Sequence, residues 1–164
     1  MGSLTDVAAA FRTVQAAEAW RAHGDWVTAH PGALGSDVAA RFAWAATVSS
    51  EQERDGRTVL RVARDRLDDV LRDRVLLLPS AAGPAPSATA DPAALEAARA
   101  ATLALTCLAG VLGAPAVSVP VLRVADGPVG LCLVGPRGRD LALLDLALID
   151  LALAACPDHP GGRP

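Results

Sequence analysis

Apolar side chains recur at helical spacing through the first part of the chain. Over residues 4–23 they fall at every third or fourth position, which predicts an amphipathic helix with Ser3 or Thr5 as its N-cap. The pattern stops at Gly24, and glycine commonly ends helices because it adopts the left-handed conformation. We therefore expect a first helix that ends there and a loop over 25–36.

Two further helices are indicated before the pattern changes. The first begins at Ser36 or Asp37 and runs to about Val48. The second lies within 49–74, where seven acidic and seven basic residues include opposite charges four positions apart, as is typical of a solvated helix. The apolar residues of this segment form a stripe that we expect to pack inward: Val59, Val62, Ala63, Leu67, Val70 and Leu71.

Strand signals begin after this charged helix. The continuous apolar run 75–79 has the length of a buried strand, and the Pro- and Ala-rich segment 80–91 predicts a surface loop. A helix is predicted over 92–112, with Asp91 as its N-cap, a proline at its first position and Gly113 as its stop.

Two more apolar runs predict a β-hairpin. They cover 114–124 and 128–134 and flank the turn signal Asp126-Gly127. A final helix is expected to begin with Asp140 as its cap. One apolar stripe follows this helix and consists of Leu141, Leu144, Leu148, Leu151 and Ala155.

The order of these elements predicts an α/β fold in a single domain. It comprises a helical part over 4–73, an α/β part over 74–156 and a disordered tail over 157–164. A chain of 164 residues is long enough for one sizeable core. Strands this apolar usually have partners on both faces and edges, so we expect the sheet to be incomplete within this chain.

Composition excludes several classes of function. All 15 basic residues are arginine, and with 18 acidic residues the net charge is −3, which disfavours a nucleic-acid-binding surface. The absence of Lys, Asn and Tyr is typical of a GC-rich genome. Cys107, Cys132 and Cys156 form no CxxC pair and have no histidine at ligand spacing, so neither a metal site nor a disulfide framework is indicated. We expect no cofactor.

Membrane insertion is not expected either. The apolar segment 141–155 is shorter than the ~20 residues of a spanning helix and contains Asp145 and Asp150. The N-terminus lacks the pattern of a signal peptide. The expectation is a cytoplasmic protein.

Three segments carry a resemblance to a known family. VLLLPSAAGPAP at 75–86, LAGVLGAPAVSVP at 108–120 and DGPVGLCLVG at 126–135 resemble, in the family's order, three motifs of amidase-signature amide hydrolases. The opening AFRTVQAAEAWRAHGDWVTAHPGALGSDVAARF is similar to the segment that follows the catalytic core in indole-3-acetamide hydrolases. The resemblance covers about residues 7–155 and implies the C-terminal part of the amidase-signature fold, a mixed sheet with covering helices.

The resemblance also implies a chemistry that this chain does not contain. The family uses a serine nucleophile, a second serine on a cis peptide and a lysine base. The chain has no lysine, arginine cannot replace it because arginine stays protonated, and no serine lies in a glycine-rich run. Ser118 is a strand residue, and the three histidines lack a nucleophile elbow. We expect a C-terminal fragment or subunit of an amidase, inactive alone and without a catalytic residue.

The resemblance implies a role in the wall of an acyl pocket. The candidates for wall residues are Trp20, Trp26, Phe42 and Trp44, with plain core packing as the alternative. The expected partner is an N-terminal amidase half, or a second copy bound through an exposed sheet edge and the leucines Leu141, Leu144, Leu148 and Leu151. The alternative function is a non-catalytic interaction or scaffold protein derived from an amidase, and a third option is a small hydrolase that uses His23 or His159.

Overall fold

The computed structural model describes residues 3–147. In chain order its elements are α1 (Leu4–Ala29), α2 (Ser36–Ala45), α3 (Ser50–Leu71), β1 (Leu76–Pro79), α4 (Pro92–Leu112), β2 (Ala116–Val124), β3 (Gly127–Val134) and α5 (Asp140–Asp145). The chain divides into two compact units, the first ending at Arg64 and the second beginning at Asp65. The single domain expected from chain length stays a prediction.

The first helix is longer than predicted. It begins with a capping box in which the Ser3 hydroxyl accepts a hydrogen bond from the Asp6 amide, and the Ser3 amide donates to the Asp6 carboxylate at 2.7 Å. The predicted stop at Gly24 is wrong, because the helix continues to its C-cap at His30. Gly24 is buried against the Trp20 indole, where an added Cβ would lie 2.9 Å from the ring. Its missing side chain makes room for tryptophan and does not end the helix.

Helix α3 lies close to α1 within the first unit. At Gly56 of α3, an added Cβ would lie 3.0 Å from the Val14 side chain and 3.3 Å from the Ala10 carbonyl oxygen. Glycine therefore sets the distance between the two helices. The predicted α3 stripe packs only in part, at Leu67 and Leu71. Leu71 is buried, whereas Val59, Val62 and Val70 are exposed.

Ion pairs join the same two helices. The Glu53 carboxylate of α3 accepts hydrogen bonds at 2.7 Å from both Arg21 of α1 and Arg57 of its own helix. Arg57 also contacts Glu18 of α1 at 2.8 Å. The Glu53 side chain is only 16% exposed, so this carboxylate is the centre of the network.

The second unit contains a three-stranded sheet in the order β1-β3-β2. Both pairings are antiparallel, with Leu78 of β1 and Ser118 of β2 each opposite Cys132 of β3. The hairpin prediction is confirmed, but the described strands show none of the parallel pairing that a mixed sheet requires. The register of β2 shifts between Val119 and Leu122, around Pro120, as is usual for a proline in an edge strand.

Helices cover both faces of this sheet, as predicted. One face packs with the end of α3 and with α4, through a cluster of Leu71, Leu78, Leu112, Cys132 and Val134. The other packs with α5 and with Ala147 just after it, through Val119, Leu133, Leu143 and Ala147. Helix α4 is long and apolar enough to cross a membrane by length and composition. It also has the predicted Asp91 N-cap and a left-handed Gly113 at its end.

The start of the last helix differs from its prediction in detail. Arg139 is the N-cap and Asp140 the first helical residue. Leu141 and Leu144 of the predicted stripe are exposed, while Leu143 and Ala147 pack inward. Leu148, Leu151, Ala155 and the tail predicted to be disordered, 157–164, lie outside the described residues.

The network around Glu53 predicts a pH dependence of stability. Hydrogen bonds from Arg21 and then Arg57 hold the pKa of Glu53 below its ordinary value of 4.5. Because the folded-state pKa is depressed, the stabilisation is complete above pH ~4.5 and is lost as pH falls through the folded-state value. We expect the melting temperature of Glu53→Gln to fall less than that of the unaltered chain between about pH 5 and pH 3.

Circular dichroism melts at several pH values make this measurement. Glu51→Gln, which removes an exposed carboxylate from the same helix, is the matched control and should follow the unaltered chain. Identical pH profiles for Glu53→Gln and the control would contradict the role of the network.

Candidate functional site

The second unit contains a cavity of about 800 Å³. It is open to solvent on one side and is bordered by the loop that follows β1, by α4 and by the start of β3. The walls are mainly apolar and include the Ala and Pro residues of 81–86, together with Leu95, Ala98, Leu103 and Val129. Arg99, Thr102 and Thr106 add polar groups from α4. This volume, with an apolar lining and a few polar groups, suits a small organic ligand.

Residues 81–86 form the loop over this cavity, which we call the cavity loop. Contacts hold it to the elements around it. The backbone amide of Ala82 donates a hydrogen bond to Thr102 Oγ1 at 3.2 Å. At the hairpin turn, an added Cβ on Gly127 would lie 3.2 Å from Pro84, so the turn and the loop are in close contact. The wall therefore has a defined position next to α4 and β3.

Two serine hydroxyls meet beside the cavity. Ser80 follows β1 and Ser118 belongs to β2, and their Oγ atoms lie 2.5 Å apart across the central strand. Gly130 of β3 lies beneath them, and a Cβ there would be 2.5 Å from Ser118 Oγ and 2.7 Å from Ser80 Oγ. Gly130 itself lines the cavity. The two hydroxyls can bond only because the central strand has no side chain at this position.

These three residues come from three separate sequence motifs. Ser80 follows the strand of the first motif, Ser118 is the serine of the second, and Gly130 is the internal glycine of the third. The motifs are far apart in sequence, but the β1-β3-β2 order places them side by side. The sequence alone indicates only that Ser118 is a strand residue, and nothing in it singles out Ser80 or Gly130. The only signal in the sequence is that each of these residues belongs to one of the three motifs.

The hydroxyl pair is not a catalytic pair by itself. A serine nucleophile requires a neighbouring group that can take its proton, and here each serine bonds another hydroxyl. Among residues 3–147, no group of three or more His, Cys, Asp or Glu side chains could hold a metal ion. Both hydroxyls can donate and accept hydrogen bonds. The pair is therefore suited to holding neighbouring segments in position or to binding an uncharged ligand.

Two of the four aromatic wall candidates make local contacts along α1. Trp20 packs against Gly24. Trp26 is 50% exposed and stacks on His30, with ring centroids 4.6 Å apart. The His30 Nδ1 atom lies 2.8 Å from the Trp26 carbonyl oxygen, so histidine caps the end of the helix.

The other two candidates lie on α2. Phe42 meets the His23 ring edge-on at a centroid distance of 6.4 Å, and Trp44 lies beneath the Arg12 guanidinium at 5.4 Å. All four aromatics belong to the first unit, whereas the cavity is lined from the second. Their role as pocket wall stays a prediction.

The cysteines behave as the sequence indicated within the described part of the chain. Cys107 and Cys132 are free and buried, and burial raises the pKa of both thiols. They therefore remain protonated at neutral pH and fill apolar space.

Comparison with known proteins relates most of the chain to amidases. It is 32% identical over 143 residues to Amidase 1 of Arabidopsis thaliana, a match that covers 87% of this chain and 34% of that protein. The crystal structure of an amidase superimposes with a TM-score of 0.75 at 26% identity, covering 86% of this chain and 34% of that one.

A bacterial aryl acylamidase of the amidase signature family superimposes with a TM-score of 0.57 at 22% identity, covering 99% of this chain and 37% of that one. At that identity the likeness shows the fold alone. No protein-family model matches the chain. The chain spans about a third of the length of the curated relative that it matches.

The cavity predicts that a small organic molecule with an apolar body and a polar group binds to this chain, and benzamide is a suitable probe. We expect benzamide to shift the amide resonances of Thr102 and Val129 in an NMR titration, and Ala98→Phe to abolish these shifts because the added ring occupies the cavity. Ala97→Phe is the matched control, since Ala97 lies on the exposed side of the same helix. Binding that survives Ala98→Phe, or that is lost equally in both variants, would contradict the assignment.

Proposed function

We propose that this chain, which matches the C-terminal portion of amidase-signature proteins, is the C-terminal part of a carboxamide hydrolase. The complete enzyme releases an acid and ammonia from a small aryl or alkyl carboxamide. The observation that carries the proposal is the 32% identity over 143 residues to Amidase 1. The structural match to an amidase with a TM-score of 0.75 supports it independently.

The part of the reaction that we assign to this chain is binding of the acyl group. The cavity has apolar walls from the cavity loop, α4 and β3, which suit the hydrocarbon body of such a substrate. Thr102, Thr106 and the Ser80–Ser118 pair offer neutral hydrogen-bonding groups in or beside it. A neutral amide can hydrogen-bond to these hydroxyls, and Arg99 adds a charged group to the same lining.

The groups that break the amide bond are proposed to come from the portion of the enzyme beyond this match. A nucleophilic serine needs a base, and the chain has no lysine. None of its seven serines lies in a glycine-rich run that could stabilise an oxyanion. We therefore propose that this chain is inactive without the N-terminal portion, whether that portion belongs to the same polypeptide or to another.

Exposed apolar residues support docking of that portion. In the second unit, Leu77 of β1 is 52% exposed and Leu141 of α5 is 77% exposed, and Leu144 is exposed beside it. Such side chains on one unit favour a partner that removes them from water. We propose the N-terminal portion of an amidase as this partner, and a cytoplasmic location, which suits the free Cys107 and Cys132.

A non-catalytic interaction protein is the second candidate. It rests on the edges of the sheet, because β1 and β2 are the outer strands in the β1-β3-β2 order. An unpaired strand edge can bind a strand from a second copy or from another protein. On this alternative the cavity has no catalytic role.

Ammonia release distinguishes the two candidates. The purified chain is incubated with benzamide or indole-3-acetamide, alone and together with the N-terminal portion of an amidase-signature enzyme. We expect no ammonia from either part alone and ammonia from the mixture. The control is the same mixture with the catalytic lysine of the added portion replaced, which should remain inactive because the base is lost.

Hydrolysis by the chain alone would contradict the division of roles. An inactive mixture would contradict the proposed amidase function and favour the interaction protein.

A further inference from the structure

We propose that Ser80 and Ser118 are positioning residues, whose hydrogen bond across Gly130 fixes the cavity loop and so determines which ligands the cavity admits. The identity of the ligand rests on the proposed function. The positioning itself rests only on the contacts around Ser80.

Ser80 is the residue at which the chain leaves the sheet. Its backbone amide donates a hydrogen bond to the Gly130 carbonyl oxygen at 2.7 Å, and the very next residues line the cavity. Its side chain reaches past the central strand to Ser118 on the far edge strand. Ser80 is thus attached to β3 through its backbone and to β2 through its side chain, immediately before the cavity loop begins.

The alternation of side chains places these groups on the side of the sheet that faces α4. Leu78 and Cys132 belong to the cluster packed against α4, and Ser80 and Gly130 are two positions from them along the same strands. Ser118 is directly opposite Cys132. The hydroxyl pair therefore occupies the face that also forms the floor of the cavity.

Glycine in the central strand is unfavourable unless something uses the space. Glycine weakens a strand interior because it has no side chain to pack, and it often marks a close approach. Here two hydroxyls fill that space, within 2.5 and 2.7 Å of where a Cβ would lie. The two hydroxyls therefore occupy the place of a side chain at the point where the cavity loop is attached.

Further along, the loop has two other attachments. The Ala82 amide donates to Thr102 Oγ1, and Pro84 contacts the hairpin turn at Gly127. Without the Ser118 hydroxyl, the Ser80 side chain loses its partner and can rotate. The loop then keeps its contacts to α4 and to the turn but loses its attachment to β2, so the wall of the cavity becomes mobile.

Amide hydrogen exchange tests the positioning directly in the whole chain. We expect Ser118→Ala to speed exchange at the Ser80 and Ala82 amides by about threefold to tenfold, as the loss of one hydrogen bond implies. Exchange at Leu76 and Val134, further along the same strands, should not change. Ser80→Thr keeps a hydroxyl and should retain protection at Ala82.

Ser87→Ala is the matched control. Ser87 lies in the same connection between β1 and α4 and bonds Thr89 instead of the sheet, so this variant should leave exchange at Ser80 and Ala82 unchanged. Gly130→Ala is a second variant. Its added Cβ must push both hydroxyls away and should speed exchange at least as much as Ser118→Ala.

Ligand selectivity gives a readout that a purely structural role would not change. With Ser118→Ala folded as judged by circular dichroism, we expect benzamide to bind about threefold to tenfold more weakly. The ratio of its affinity to that for the smaller acetamide should shift, and Ser80→Thr should preserve the ratio. An unchanged ratio in Ser118→Ala would overturn the role in selecting ligands.

Failures of the two proposals are distinguishable. Exchange at Ser80 and Ala82 that is the same in Ser118→Ala and Ser87→Ala would overturn the positioning role, whatever the ligand results. If neither amide binds the unaltered chain but exchange responds as expected, the proposed amide ligand is wrong and the positioning role stands.

Discussion

The second unit depends on the absence of a side chain at Gly130. Because nothing projects from the central strand at that point, hydroxyls from the strands on either side can bond each other above it. Farther along the same face, Cys132 and Val134 fill the space between the sheet and the helices. The central strand therefore has packed side chains at one end and no side chain at Gly130. Close to Gly130, the chain leaves the sheet to form the wall of a cavity.

This arrangement brings the three motifs together at one place in the sheet. The first supplies Ser80 and the cavity loop, the second supplies Ser118, and the third supplies Gly130. Each is a short apolar run that carries little information alone. Together they supply the residues of one contact, between Ser80, Ser118 and Gly130. This contact requires β3 to be the central strand of the sheet. The match to amidases covers about a third of their length.

Sequence reasoning succeeded where the determinants were local. The limits of α4 followed from Asp91 and Gly113, which act within a few residues of themselves. It failed at Gly24, because the contact with Trp20 overrides the usual preference of glycine. It also missed the hydroxyl pair, since the meeting of Ser80 and Ser118 depends on pairing between strands that are remote in sequence. Aromatic residues are the pocket-wall candidates that the sequence offers, whereas the cavity is lined mainly by alanine, proline and leucine.

A double-mutant cycle on the two serines tests the central claim most directly. Urea unfolding of the unaltered chain, Ser80→Ala, Ser118→Ala and the double variant gives the coupling free energy between the hydroxyls. If their bond joins the outer strands across Gly130, the double variant should lose less stability than the two single variants summed, by about 0.5–1.5 kcal/mol. Strictly additive losses would show that the hydroxyls act independently and would contradict the account.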